Sequence, residues 1–222
     1  MLVFGAIDFA AAVARAGKFL GYRVTVCDAR PMFATRARFP DADEVVVDWP
    51  HRYLAQTPID ARTVICVLTH DPKFDVPLLE VALRTPAGYI GAMGSRRTHD
   101  DRLARLREAG LTEDELARLR SPIGLDLGAR TPEETAVSVA AELIQLRWGG
   151  SGQPLTDTTG RIHHNSPQLT QPAGPLPRSP SPPPVSPTST QHELAVMSAG
   201  QVRPGLRLTG IRAPSGDRSR RS

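Results

Sequence analysis

One short stretch of the chain combines glycine, serine and arginine in an order that suits anion binding. Gly91 and Gly94 stand three residues apart at the end of an apolar run. Ser95 can cap a helix, and Arg96 and Arg97 would lie in its first turn. We call these five residues the anion cradle, because backbone N–H groups at such a helix start can hold a phosphate. Cations there destabilise the helix start by about 0.3–1 kcal/mol each, so we expect either a bound anion or pairing of both side chains with Asp100, Asp101 or a neighbouring residue.

A second glycine turn follows the first apolar run, where a dinucleotide-binding fingerprint would begin. Gly5 and Ala6 open this turn. Ile7 stands where a second glycine would let a pyrophosphate approach, and Asp8 adds a negative charge there. Asp28, 23 residues after Gly5, matches the acidic residue that takes a ribose hydroxyl of NAD. These signals conflict and disfavour NAD; the alternative is a glycine for a tight turn and an aspartate that caps a loop.

Polar residues also follow the strongest apolar run and precede the last helical pattern. Thr69, His70 and Asp71 come directly after the run RTVICVL, where a ligand-contacting or acid–base group would stand. Gly124 precedes Asp126, whose carboxylate could bind an amine or hydroxyl of a ligand. The alternatives are a solvated histidine and glycines that only permit positive φ. The sequence contains no nucleophile elbow, Walker loop or HExxH motif, so it indicates neither catalytic residues nor a metal site.

The elements that must position these loops alternate between strands and helices. Short β-branched runs predict strands, and apolar residues at three- and four-residue spacing predict helices. We predict strands over 1–4, 22–27, 44–47, 62–68 and 88–92, and helices over 9–20, 75–84, 95–109 and about 132–148. The pattern predicts an α/β fold, a Rossmann-like open parallel sheet with helices on both faces. Its ligand loops would lie at the carboxyl ends of the strands.

Two helix starts carry an explicit local signal. Thr112 and Thr131 are each followed three residues later by a glutamate, which predicts a capping box. Pro132 then occupies the first helical position, where its missing N–H costs nothing.

Charge and composition divide the chain at about residue 164. Residues 1–164 carry 20 Lys and Arg and 21 Asp and Glu, whereas the last 58 residues carry 7 and 2. All aromatic residues lie at or before Trp148, and more than half of the 21 prolines follow His164. We therefore predict a folded domain over 1–164 and a disordered Pro/Ser/Arg-rich tail over 165–222. Because the folded part is balanced in charge, we expect no nucleic-acid partner.

The remaining composition favours a cytoplasmic protein without membrane association. The longest apolar runs have half a dozen residues, far short of the roughly 20 that span a bilayer. Asp8 interrupts what would be the apolar core of a signal peptide. Cys27 and Cys66 fall in strand-like apolar runs without metal-ligand spacing, so we expect reduced, buried thiols.

Several segments, in this order, resemble the C-terminal Rossmann domain of the XdhC/CoxI family. They are VFGAIDFAAAVARAGKFLGYRVTVCDARP, RFPDADEVVV, LTHDPKFDVPLL, YIGAMGSRRTHDDR and SPIGLDLGARTPEETAVSVAAEL, and they cover about residues 1–164. The resemblance implies an accessory factor for molybdenum hydroxylases such as xanthine dehydrogenase or carbon monoxide dehydrogenase. Such factors bind the molybdenum cofactor, as molybdopterin or its cytosine dinucleotide form. They protect it during sulfuration and help to insert it into the apo-enzyme, without being the hydroxylase.

Together with this resemblance, the loops suggest roles and partners. The anion cradle would take the phosphate of the cofactor, and His70, Asp71 and Asp126 would contact its pterin side. Expected partners are the apo-hydroxylase and a sulfurtransferase. Full family members carry an N-terminal domain that we expect this chain to lack, so a separate protein bearing that domain, or a second copy in a homodimer, would complete the site.

Two other functions stay open from the sequence. Gly5 and Asp28 allow an NAD(P)-dependent oxidoreductase on the same fold, which a change in NADH fluorescence would reveal. A truncated fragment without ligand, docking on a hydroxylase subunit or on a protein with the missing half, would instead appear in a pull-down without cofactor.

Overall fold

One parallel sheet organises the residues that the computed structural model describes, 1–69 and 71–163. Its strands are β1 Leu2–Phe4, β2 Thr25–Asp28, β3 Glu44–Val47, β4 Val64–Val67, β5 Tyr89–Ala92 and β6 Leu119–Arg120. They follow the order β3-β2-β1-β4-β5-β6, and every pairing is parallel. This is the Rossmann order, in which the connections diverge between β1 and β4 and ligands bind at that point. The predicted open parallel sheet is confirmed, whereas the predicted tail over 165–222 lies outside the described residues.

Helices cover both faces of the sheet, as predicted. They are α1 Asp8–Phe19, α2 Pro50–Gln56, α3 Pro72–Ala82, α4 Arg96–Glu108, α5 Glu113–Leu116 and α6 Pro132–Trp148. Helices α1 and α6 pack together over one face, and α2, α3 and α4 pack over the other. A short 3-10 turn, Leu155–Asp157, follows.

The alternation of side chains along β4 shows why its sequence is apolar throughout. Val64 and Cys66 belong to the core beneath α1 and α6, whereas Ile65 and Val67 belong to the core beneath α2 and α3. All four are at most 1% exposed. A strand buried on both faces needs apolar residues at every position.

Most helix ends follow the predicted caps. The capping boxes of Thr112 and Thr131 are both formed, and α6 ends at Gly149 in the left-handed region, φ 71°. Helix α3 begins at Pro72 and not at the predicted residue 75. Asp71 is its N-cap and accepts a hydrogen bond from the Lys73 N–H at 3.0 Å. An Asp-Pro pair at N-cap and N1 is the signal that this prediction missed.

The two cysteines are buried and free, as expected. Burial raises the pKa of each thiol to about 12, so both stay protonated near neutral pH. Among residues 1–69 and 71–163, no three His, Cys, Asp or Glu side chains are grouped as metal ligands. No helix in the same residues has the length and apolar character of a membrane span.

Candidate ligand site at the carboxyl edge of the sheet

Every described loop that was selected from the sequence lies at the carboxyl edge of the sheet. These loops begin at Gly5 after β1, Asp28 at the end of β2, Thr69 after β4, Met93 after β5 and Ser121 after β6. His70 lies outside the described residues, so its predicted contact stays a prediction. The common edge follows directly from parallel strand order.

The loops after β1 and β4 touch at the point where the connections diverge. Gly5 has φ +102°, and a Cβ atom there would lie 2.7 Å from Cγ2 of Thr69 and 2.9 Å from its backbone nitrogen. The amide of Gly5 donates to the Cys27 carbonyl at 2.9 Å. Both the backbone conformation and the close approach therefore require glycine at this position.

The Asp28 carboxylate is fully engaged by the chain itself. It accepts hydrogen bonds from the Ala6 N–H at 2.7 Å, from the Arg30 N–H at 2.9 Å, and from Nε and Nη2 of Arg30 at 2.9 and 2.8 Å. Burial alone would raise the pKa of Asp28, but these hydrogen bonds and the Arg30 charge outweigh it and hold the pKa below its usual value. A ribose hydroxyl could reach this carboxylate only by displacing Arg30.

Arg30 and Arg38, neither of which was selected from the sequence, close the region around β1 and β2. Arg38 donates to the Ala6 carbonyl at 3.2 Å and to the Asp8 carboxylate at 3.1 Å. The Arg30 guanidinium lies 4.5 Å from the centre of the Phe33 ring. The charged side chains of these loops thus pair with groups of the protein itself.

A buried ion pair ties together the loops after β4, β5 and β6. Arg102 donates to Asp75 at 2.9 Å, to the Met93 carbonyl at 2.8 Å and to the Ser121 hydroxyl at 2.9 Å. The Thr69 hydroxyl donates to the same Asp75 carboxylate. The Arg102 and Asp75 side chains are 3% and 4% exposed. A buried pair with this many hydrogen bonds fixes three loops relative to one another.

This ion pair was missed by sequence reasoning, although one signal pointed to it. Arg102 stands four residues before Leu106, which places both side chains on the same face of α4. Both are buried. The helical periodicity could therefore have singled out Arg102 among the arginines of α4, but not its partner on α3.

The anion cradle is only partly assembled as predicted. Ser95 is the N-cap of α4 and accepts a hydrogen bond from the Thr98 N–H at 3.1 Å. Gly94 has φ +153°, and a Cβ there would lie 3.0 Å from Cβ of Thr98. Arg96 and Arg97 are exposed in the first turn, and within the described residues neither makes an ion pair. The alternative, compensation by carboxylates of the same helix, is not formed.

Gly91 does not lie in this loop but inside β5. A Cβ atom there would meet the Ile123 side chain at 2.6 Å, so its glycine serves packing against the loop after β6. Gly124 has φ +98°, and its N–H donates to the buried Glu142 of α6 at 2.8 Å. Asp126 is exposed and has no side-chain hydrogen bond within the described part of the chain. The structure therefore does not bring Asp126 into the network.

A cavity opens beside the cradle, between α3 and α4. Its volume is about 210 Å³, and Pro72 and Val76 of α3 form one wall. Thr98, Asp101 and Arg105 of α4 form the other, over the Asp75–Arg102 pair. This concave space lies on the β4–β5 side of the carboxyl edge.

Comparison with known proteins places these features in a family context. The family model described as the XdhC Rossmann domain matches residues 1–143. A protein of Bacillus subtilis named as a probable xanthine dehydrogenase subunit is 32% identical over 147 residues, which are 66% of this chain and 42% of that protein. The molybdenum cofactor insertion chaperone PaoD of Escherichia coli is 38% identical over 93 residues, 42% of this chain and 29% of that protein.

A solved structure supports the same fold. A xanthine dehydrogenase of Bacillus halodurans, as its structure is described, is 34% identical, with a TM-score of 0.57 over 65% of this chain and 41% of that one. The chain spans less than half the length of each of these three relatives.

Proposed function

The chain belongs to the XdhC family, and from that membership we propose that it acts in the maturation of molybdenum hydroxylases. In this proposal it holds the molybdenum cofactor as cargo and helps to insert it into an apo-hydroxylase. Two relatives support this role by their names, a molybdenum cofactor insertion chaperone and a probable xanthine dehydrogenase subunit. The cargo supplies the molybdenum centre of the recipient enzyme, and this chain only binds the cargo.

The start of α4 is the observation that carries the proposal. Arg96 and Arg97 are exposed cations without carboxylate partners in the described residues, at a helix end whose dipole repels them. The first N–H groups of a helix also lack intrahelical acceptors. A phosphate bound at Gly94 and Ser95 would compensate both, and the cofactor carries such a phosphate. The donor set of this loop therefore fits the anionic end of the cargo.

The other residues predicted to contact the cofactor would differ in how directly they contact it. Asp71 caps α3 beside the cavity, so one of its oxygens is already engaged by the Lys73 N–H. His70 precedes Asp71 in the sequence, and we keep its contact with the pterin side as a prediction. Gly5, Ala6 and Asp28 would make no direct contact with the cargo, since Arg30 already engages the Asp28 carboxylate.

We extend the proposal to the partners of the maturation step. An apo-hydroxylase would receive the cofactor, and a sulfurtransferase would act on it while it is held. A separate protein, or a second copy of this chain, would cover the carboxyl edge of the sheet. A cytoplasmic location agrees with such partners. If the chain is instead a docking fragment without ligand, pull-down should recover a partner from cells that make no molybdenum cofactor.

A nicotinamide-dependent oxidoreductase is a second candidate, favoured by the position of Asp28 at the end of β2. The four hydrogen bonds that Asp28 accepts from Ala6 and Arg30 oppose it. We expect NADH fluorescence to stay unchanged when the protein is added. An increase that Asp28→Asn abolishes would favour this candidate over cofactor maturation.

Titration of the full chain with molybdopterin tests the proposal. We expect saturable binding that Arg96→Ala with Arg97→Ala weakens at least about tenfold, since each removes a charge-assisted hydrogen bond. Arg15→Ala with Arg23→Ala removes the same charge from exposed positions on α1 and before β2, and should leave binding unchanged. Absence of binding, or equal losses in the two double variants, would refute the proposal.

A further inference from the structure

The cavity between α3 and α4 adjoins the anion cradle. Thr98 lines the cavity, and its N–H and hydroxyl also bond to Ser95 at the start of α4. A ligand whose phosphate lies at the cradle would therefore have its next group at the mouth of this cavity. At about 210 Å³ the cavity is smaller than the roughly 300–1,000 Å³ of sites for drug-sized ligands. It suits one ring system and not a whole dinucleotide.

Two opposite charges line this cavity without pairing. Asp101 and Arg105 stand four residues apart on α4, a spacing at which aspartate and arginine commonly form an ion pair. No ion pair or side-chain hydrogen bond of either is found within the described residues. Within the described residues, this wall thus offers an unpaired carboxylate and an unpaired guanidinium about one helical turn apart.

Apart from Thr98, the rest of the lining is a buried ion pair and an apolar wall. The floor of the cavity is the Asp75–Arg102 pair, in which each charge compensates the other. The opposite wall is apolar, formed by Pro72 and Val76. A flat ring could therefore place its faces against apolar atoms while its polar edge meets α4.

We propose that this cavity binds the 2-amino-4-oxopyrimidine edge of a pterin, with Asp101 and Arg105 as its specificity residues. The ring N3–H and the 2-amino group are adjacent donors that suit the two oxygens of a carboxylate. The neighbouring 4-oxo group is an acceptor that suits a guanidinium. This inference rests on the proposed function, and it assigns the heterocyclic end of the same cargo to residues outside the cradle.

Fluorescence titration of the full chain with pterin, against lumazine as the matched ligand, tests this assignment. Lumazine has the same bicyclic ring and the 4-oxo group, but a second oxo group replaces the 2-amino group. We expect pterin to bind at least about tenfold more tightly than lumazine, because the carboxylate loses one charge-assisted hydrogen bond and faces an oxygen instead.

Three variants separate the roles of the two residues. Asp101→Asn should abolish the preference for pterin, whereas Asp100→Asn, an exposed neighbour outside the cavity, should keep it. Arg105→Gln should weaken the binding of pterin and of lumazine by similar factors, because both ligands carry the 4-oxo group. All three positions are exposed, and circular dichroism should confirm an unchanged fold.

Two results would overturn the inference. They are equal binding of pterin and lumazine to the unaltered chain, and equal effects of Asp101→Asn and Asp100→Asn on the preference for pterin. Molybdopterin binding that depends on the cradle arginines but not on Asp101 would refute the assignment of the pterin to this cavity. It would leave the proposed function unaffected. A pterin preference that depends on Asp101, without binding of molybdopterin, would refute the proposed function instead.

Discussion

The carboxyl edge of this sheet has two sides that treat their charged residues in opposite ways. On the closed side, residues 5–8 and 28–38, the carboxylates of Asp8 and Asp28 are bonded to Arg38 and Arg30. On the open side, residues 93–105, four exposed charged side chains line the helix start and the cavity without ion pairs among the described residues. They are Arg96, Arg97, Asp101 and Arg105. A Rossmann fold can thus satisfy its usual dinucleotide loops internally and offer a different part of the same edge to a ligand.

The buried Asp75–Arg102 pair stands between the two sides and connects them. Thr69 approaches Gly5 on the closed side and donates to Asp75. Arg102 then reaches the Met93 carbonyl at the start of the open side. Mutations on the closed side and in its network should therefore change stability, whereas mutations on the open side should change ligand binding.

The largest effect should come from the network itself. Arg102→Met removes the partner of a buried carboxylate and should lower the free energy of unfolding by about 3–5 kcal/mol. Arg105→Met, an exposed position three residues later, should change it by less than about 0.5 kcal/mol. Urea denaturation measures both. Similar values for the two variants would remove the distinction between network and open side.

A slightly smaller effect is expected at the contact between β1 and β4. Gly5→Ala should destabilise by about 2–4 kcal/mol, since it combines a strained φ with a clash against the Thr69 backbone. Gly21→Ala shares the positive φ, +82°, but has open space around its Cβ, so it should cost about 1 kcal/mol. Thermal unfolding of the two variants separates the cost of the close approach to Thr69 from the cost of the positive φ. If both cost the same, the loops after β1 and β4 do not touch in solution.

The closed side should also show a defined dependence on pH. Because the pKa of Asp28 is lowered in the fold, its stabilisation is complete above the unfolded pKa of about 3.9 and is lost as the pH falls through the folded value. Asp28→Asn should therefore cost about 1–3 kcal/mol near pH 7, and this difference should shrink below about pH 4. Asp126→Asn, at an exposed position, should cost nothing measurable. A difference that grows on acidification would contradict the engaged carboxylate.

The smallest change in stability should have the opposite sign. Arg96→Ala with Arg97→Ala removes two cations from the first turn of α4 and should stabilise the protein by about 0.3–1 kcal/mol for each. Differential scanning calorimetry should show a slightly raised Tm in the same variant that loses molybdopterin. A lowered Tm would mean that these arginines have partners in the fold and belong with the closed side.

The parts of the fold that the sequence predicted well are those with strong local signals. Helix α6 is bounded as predicted, because Thr131, Pro132 and Gly149 each specify a terminus. β4 was predicted from its continuous apolar run, which only a doubly covered strand requires. β6 has two residues and α2 has seven, too few to show a period, and neither was predicted.

For the site, the sequence could predict only which loops follow the strands and therefore lie at the carboxyl edge of the sheet. The carboxyl-edge rule selected the loops of Gly5, Thr69 and Gly94 correctly as neighbours of one edge. It could not show that Arg30 turns back on Asp28, because that depends on the path of a loop. Nor could it show that Arg102 pairs with Asp75, because that carboxylate comes from another helix.

Hydrogen–deuterium exchange of the full chain, with and without molybdopterin, shows which side of the carboxyl edge binds the ligand. The first amides of α4 lack intrahelical acceptors and should exchange quickly in the free protein. We expect slower exchange over residues 94–105 when molybdopterin binds, with no change over 5–8 and 28–30. Protection confined to residues 5–8 and 28–30 would place the ligand on the closed side and contradict this expectation.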